Sequence, residues 1–234
     1  GAVADSGGGV AVYFYEVEPE LVLNLTESTT VRGKIVSVYG GSSRLVTKAT
    51  INGDIDYSDS GDDQITVNGG VINGNIDMST DDDVLTVNAG TLNGTIDMGD
   101  ANDTVNLNGG TVANDLAMGA GGDTMNLNGG TMANNVAMGD GDDTFAYTGG
   151  SLGGTLDFGI GSNTLYVDGS FANTQTITTG AGGDTTVFVS ENGLFTVTNA
   201  LGLGTGGNII TSAGGTFYVS SSDVTANDLN NAGT

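Results

Sequence analysis

The sequence predicts an all-β fold, a parallel β-helix (solenoid) with 20-residue rungs. Three observations carry that expectation. Five consecutive blocks between residues 71 and 170 share one length, apolar residues fall at the same places in each, and Gly, Asp and Asn fill the segments between them. The blocks read VINGNIDMSTDDDVLTVNAG, TLNGTIDMGDANDTVNLNGG, TVANDLAMGAGGDTMNLNGG, TMANNVAMGDGDDTFAYTGG and SLGGTLDFGIGSNTLYVDGS. Self-similarity at such a period marks a repeat architecture.

The elements of a rung follow in order from the block. Apolar residues take the second, sixth, eighth, fifteenth and seventeenth places, which in the block from Thr91 are Leu92, Ile96, Met98, Val105 and Leu107. The sixth/eighth and fifteenth/seventeenth pairs alternate with polar residues, the period of a strand. Segments such as MGDGDD and NGG hold residues that tolerate positive φ and close tight turns. One such unit cannot bury its apolar face alone, but stacked copies can. Stacking sets equivalent residues about 4.8 Å apart and turns the repeats into columns. The column Leu85, Val105, Met125, Phe145, Leu165 is one of five that are apolar at every member. Roughly nine or ten rungs make a solenoid on the order of 45 Å long. A β-roll and a sandwich are the alternatives.

Outside the five blocks the period degrades. The block over 50–70 is longer by a single insertion in its acidic turn, and TVRGKIVSVYGGSSRLVTKA (30–49) fits a degenerate rung. GAGGDTT (180–186) follows its counterpart at a longer interval than the blocks keep, and GTGGNII (204–210) follows at a longer one still. The stretch GGGVAVYFYEVEPELVLNLTESTT (7–30) is aromatic and holds the only proline, Pro19. An end rung exposes unpaired backbone and needs an atypical cap. The expected organisation is therefore an N-terminal cap over 1–29, β-helix repeats over 30–215 and the cut end of a longer array over 216–234. The first residues have neither the charged nor the apolar region of a signal peptide, so an excised piece of a longer protein is expected.

Composition excludes several functions. Lys plus Arg number 4 against 28 Asp plus Glu, giving a net charge of −24, and His and Cys are absent. Arg32, Lys34, Arg44 and Lys48 are the whole basic complement, so nucleic acid is an improbable partner and an anionic membrane surface repels the chain. No window of about 18 apolar residues spans a bilayer, so direct membrane insertion by this fragment is not expected.

Polar columns run beside the apolar ones. Asn68, Asn88, Asn108 and Asn128 share one place, where stacked amides can hydrogen-bond along the axis, and Thr104, Thr124, Thr144 and Thr164 share another. A Thr lattice ordering ice or mineral is disfavoured, because Asn106, Asn126, Ala146 and Tyr166 stand across the strand from the Thr column.

The rungs TLNGTIDMGDANDTVNLNGG and TMANNVAMGDGDDTFAYTGG resemble the passenger domains of bacterial autotransporters (type V secretion) over about residues 30–215. That resemblance implies a right-handed β-helix displayed on or shed from the outer membrane. It also implies a role in adhesion, self-association or carriage of an effector, with host or cell-surface ligands as partners. The aromatic-ended outer-membrane barrel that completes such a protein is not in this sequence. A local resemblance is to RTX proteins, whose G-G-x-G-x-D-x-φ-x turns bind calcium. Gly119–Met125, Gly139–Phe145 and Gly180–Thr186 match G-x-G-x-D-x-x, but the leading Gly is replaced by Met118, Met138 or Thr179.

The candidate ion site is the acidic column. Asp83, Asp103, Asp123 and Asp143 stack in one place, with Asp63 before them and Asn163 after. Carboxylates about 4.8 Å apart repel by roughly 1 kcal/mol in water and by more where shielded, and a cation relieves this. Ca²⁺ bonds oxygen at about 2.3 to 2.6 Å, so an ion fits between rungs with Gly carbonyls as further ligands. The competing reading needs no metal: an Asp ending a turn accepts nearby backbone N–H bonds.

Catalysis is not expected. No basic residue follows Lys48 to serve a β-helical lyase, and no Ser-His-Asp or Cys-His system exists without His and Cys. Asp56, Asp77, Asp97 and Asp157 line another column, yet they recur as repeats, whereas an active site breaks a pattern at one place. A polysaccharide-degrading β-helix and an RTX-like calcium-binding S-layer protein stand as alternatives to a non-enzymatic surface adhesin or stalk.

Overall fold

Period-2 alternation in short segments, closed by Gly-rich corners, leaves the chain one way to bury its apolar side, by laying each rung on the next. The computed structural model describes residues 10–14, 21–37, 41–57, 61–173, 176–219, 224–225 and 228–231. Among them the regular structure is all strand, in a parallel β-solenoid of about nine turns. Among the described residues every strand pairing is parallel, as a coil of stacked rungs requires.

Two long sheets run along the axis. The larger has 16 strands and takes the fourteenth-to-seventeenth places of each block, as in Thr104–Leu107, Thr124–Leu127 and Thr144–Tyr147, with the short strands after the NGG bend. The second has 11 strands, including Ile76–Asp77, Ile96–Asp97 and Leu116–Ala117. Val84, Thr104, Thr124, Thr144 and Thr164 pair in succession, so the register matches the sequence repeat through this part. Asp56 pairs with Asp77 but Ile65 with Leu85, which places the insertion of the earlier rung between 56 and 65, in its acidic turn.

The interior columns are those of the repeat. Leu85, Val105, Met125, Phe145 and Leu165 are fully buried, as are Met78, Met98, Met118, Met138 and Phe158. Leu152 is half-buried against the same core. Burial of this apolar area, at about 25 cal/mol per Å², is the main stabilising term.

The described parts of 1–29 carry the two sheets onward: Val10–Phe14 pairs with Lys34–Ser37, and Leu21–Leu25 with Ser43–Thr47. Residues 1–9 and 15–20 of that expected cap lie outside the described residues, as do 220–223, 226–227 and 232–234 of the expected C-terminal end. Near that end Asn208–Thr211 pairs with Asp228–Asn231. Beyond residue 168 the register lengthens, Ser170 pairing with Leu194 and Leu194 with Thr216, and a three-stranded sheet of Ser170–Asn173, Leu194–Val197 and Thr216–Val219 forms there. Inside it the rings of Tyr147, Phe171, Phe195 and Phe217 follow one another in series, with centroids 4.5, 5.6 and 5.6 Å apart. This aromatic column runs beside aliphatic ones that continue through the longer rungs, as in Leu165, Val187 and Ile209.

Phe195 is fully buried between two rings of that series. Phe195→Ala is expected to destabilise the fold by about 3–5 kcal/mol, read as a shift of the urea midpoint.

Candidate functional site

The acidic corner joins the short strand of the smaller sheet to the strand that follows it in the larger. Its bend depends on left-handed backbone at two places: Gly139 and Gly141 have φ of 101° and 144°. A Cβ on Gly141 would sit 1.6 Å from the Gly121 carbonyl oxygen, so the corners stack too closely for any side chain there. The stack is in register, with bridges linking Thr80, Asp100, Ala120, Asp140 and Ile160 in turn.

At the end of each corner the predicted column is in place, and it is buried. Asp83, Asp103, Asp123 and Asp143 are at most 1 % exposed, so the charge repeat seen in sequence points inward. Each Oδ1 accepts the backbone N–H of the equivalent residue one rung earlier: Asp63 to Asp83 at 2.7 Å, Asp83 to Asp103 and Asp103 to Asp123 at 2.8 Å, and Asp123 to Asp143 at 2.9 Å. The metal-free reading therefore describes one oxygen of each carboxyl. The bonds run between rungs and not within one turn.

The second oxygen is different. Oδ2 of Asp83, Asp103, Asp123 and Asp143 is buried and has no hydrogen-bond partner. An unpaired buried carboxylate oxygen is costly, so the group either keeps its proton or meets a cation. Burial is the first cause pushing these carboxyls up, to about 8 for Asp83 and about 7 for Asp103 and Asp143; Asp123 is also raised. The N–H bond to Oδ1 pulls the other way, and neighbouring carboxylates raise Asp83, Asp103 and Asp143 further. Among the described residues no three acidic side chains converge on one point. A cation here would take one carboxylate per corner and draw its remaining oxygens from backbone.

The column then turns neutral. Asn163 succeeds Asp143 and accepts its N–H at 2.9 Å, and Thr185, also buried, pairs with Asn163 in the next rung. The sequence marks Asn163 as the end of the column but does not show what its amide does. The amide nitrogen turns back to the carbonyls of its own corner, and backbone acceptors leave no trace in the sequence.

The other polar columns are outward. Asn88, Asn108 and Asn128 each donate through Nδ2 to Oδ1 of the Asn one rung earlier, at 2.8 to 2.9 Å, along an exposed edge. Thr148 caps that ladder on Asn128 at 3.0 Å. Asp56, Asp77 and Asp97 pair in register on the outer side of the smaller sheet, and Ala117 and Ala137 separate them from Asp157. Lys34 lies 3.4 Å from Asp56 and 3.6 Å from Asp54. Asp77 is raised by desolvation and then by the charges of Asp97 and Asp56. A groove of about 570 Å³ between Asn24–Ser28 and Val46–Lys48 contains one carboxylate, Glu27, held by Lys48 at 3.5 Å.

No family model and no curated protein matches the chain. Among solved structures the chain is similar to a hyperactive, Ca²⁺-dependent, β-helical antifreeze protein from an Antarctic bacterium. The identity is 18 %, the TM-score 0.49, and the match covers 97 % of this chain and 80 % of that one. A likeness of that degree carries no inference about what this chain does.

The raised carboxyls make stability depend on pH in a stated direction. Their unfolded values lie near 3.9, so the folded chain holds protons that the unfolded chain releases. The contribution is complete below about pH 4 and is lost as pH rises to about 8, with a slope of up to ~1.4 kcal/mol per pH unit for each such carboxyl. In EDTA, the thermal midpoint is expected to fall steadily from pH 5 to pH 8.5. A flat profile in calorimetry would show that the second oxygens carry no proton in the fold.

Proposed function

We propose that this chain is a non-enzymatic, surface-displayed or secreted bacterial β-helix that serves as an adhesin, self-association module or stalk and is stiffened by Ca²⁺. The observation that carries the calcium reading is the second carboxyl oxygen of Asp83, Asp103, Asp123 and Asp143, buried without a partner at the same place in successive rungs. Ca²⁺ accepts carboxylate and backbone carbonyl oxygen together, whereas Mg²⁺ demands a stricter octahedron and keeps its waters. The G-x-G-x-D sequence of two of these corners, at 119–123 and 139–143, agrees with that chemistry.

A scaffold role is supported by the even spread of the polar features. Carboxylates and amides recur rung after rung, whereas an active site breaks a pattern at one place. Display as an autotransporter-type passenger follows from the resemblance of the rungs, and it suits a long acidic solenoid. Self-association would proceed laterally, by hydrogen bonds between exposed polar ladders such as Asn88, Asn108 and Asn128. The charge of −24 opposes this until salt or calcium screens it.

Two measurements test the reading. At pH 8, millimolar calcium is expected to raise the thermal midpoint above its value in EDTA; equal midpoints would remove calcium from the function. In sedimentation equilibrium, the weight-average mass is expected to rise with added salt or calcium. A mass indifferent to both would sink lateral association.

A further inference from the structure

Asn163 stands where the rungs before it have aspartate, and its side chain shows what the corner presents to the second oxygen. Its Oδ1 accepts the Asp143 N–H, as each Asp Oδ1 accepts from the rung before. Its Nδ2, the atom that replaces Oδ2, donates to the carbonyls of Phe158 at 3.2 Å and Gly161 at 3.4 Å. Those carbonyls lie five and two residues earlier in the chain.

The same backbone recurs below. The places occupied by Gly159 and Gly161 have positive φ in each corner, through Gly139 and Gly141, Gly119 and Gly121, Gly99 and Ala101, and Ser79 and Asp81. For Asp143 the corresponding carbonyls are those of Met138 and Gly141, and for Asp123 those of Met118 and Gly121. By that correspondence a carboxylate oxygen there would meet two carbonyl oxygens, a set of acceptors without a donor. A proton on Oδ2 can serve one carbonyl at a time, while a cation draws in all three oxygens. Two oxygens bound about 2.4 Å from one ion at a right angle lie about 3.4 Å apart, which is the spacing the Asn163 amide keeps from the Gly161 carbonyl.

Resting on the calcium reading above, we infer that the corners closed by Asp83, Asp103, Asp123 and Asp143 each hold one Ca²⁺ between the second carboxyl oxygen and the carbonyls five and two residues earlier, and that Asn163 ends the series because its amide hydrogens fill that role. The ion lies inside each corner and does not bridge neighbouring carboxylates. Each site uses one aspartate, in keeping with the absence of three-acid clusters among the described residues.

The test counts calcium per chain by elemental analysis after gel filtration at pH 8, in the parent chain, Asn163→Asp and Asp123→Asn. Asn163→Asp is expected to bind one ion more than the parent and to melt lower than it in EDTA. Asp123→Asn is expected to bind one ion fewer and to melt higher than the parent in EDTA, since its amide satisfies the two carbonyls. A folded Asn163→Asp with an unchanged count overturns the assignment while leaving the calcium reading intact. A parent chain that binds no calcium removes both. If Asn163→Asp does not fold, the count in Asp123→Asn decides alone: one ion fewer supports the assignment and an unchanged count overturns it.

Discussion

Parallel pairing in register, one rung directly on the next, is the constraint on which the rest of this molecule depends. With equivalent residues about 4.8 Å apart, each residue's nearest neighbours along the axis are its own counterparts. Chemistry that is tolerable once must then be tolerable as a column. Leu, Val, Met and Phe meet that condition without help, because apolar columns gain by stacking. Asparagine meets it by donating and accepting in turn, as Asn68, Asn88, Asn108 and Asn128 do. Glycine meets it where carbonyl oxygens press so closely that a Cβ on Gly141 has no room.

Aspartate meets the condition by halves, and that is what makes the acidic corner the chemical focus of the fold. One carboxyl oxygen joins the axial hydrogen-bond system through the N–H of the rung before it. The other is sealed from water without a hydrogen-bond partner. A stable arrangement then needs positive charge delivered from outside the chain, by proton or by metal, and the choice between them varies with pH and with the ions present. The fold is thus coupled to its surroundings through groups that never reach the surface.

Much of this was legible in the sequence, for a physical reason. Because the register equals the sequence repeat between Val84 and Thr164, spacing along the chain is spacing along the axis, and the columns can be read by writing the blocks beneath one another. The same device found the acidic column and its end at Asn163. It fails where the period drifts: Tyr147, Phe171, Phe195 and Phe217 are spaced unevenly and more widely than the blocks, so their ring series is invisible to a fixed frame. It fails also for direction. The sequence offers Asp83 to Asp143 as an ion site or as turn closures without saying which way they point, and the corners with left-handed residues at the ninth and eleventh places bury them. The carbonyls that the Asn163 amide reaches belong to the backbone, which every sequence shares.

The register has one more consequence, for the length of the array. Within the part of constant period, a rung begins and ends on the same surface, so removing or duplicating one whole block there would join faces that already fit. Each column would simply lose or gain a member. The same operation on the longer, unequal units beyond Asp168 would cross into rungs that carry the third sheet and would misalign the aromatic column. The first region can therefore change in reach by copying itself, while the second is held to its own unequal spacing by the column it carries.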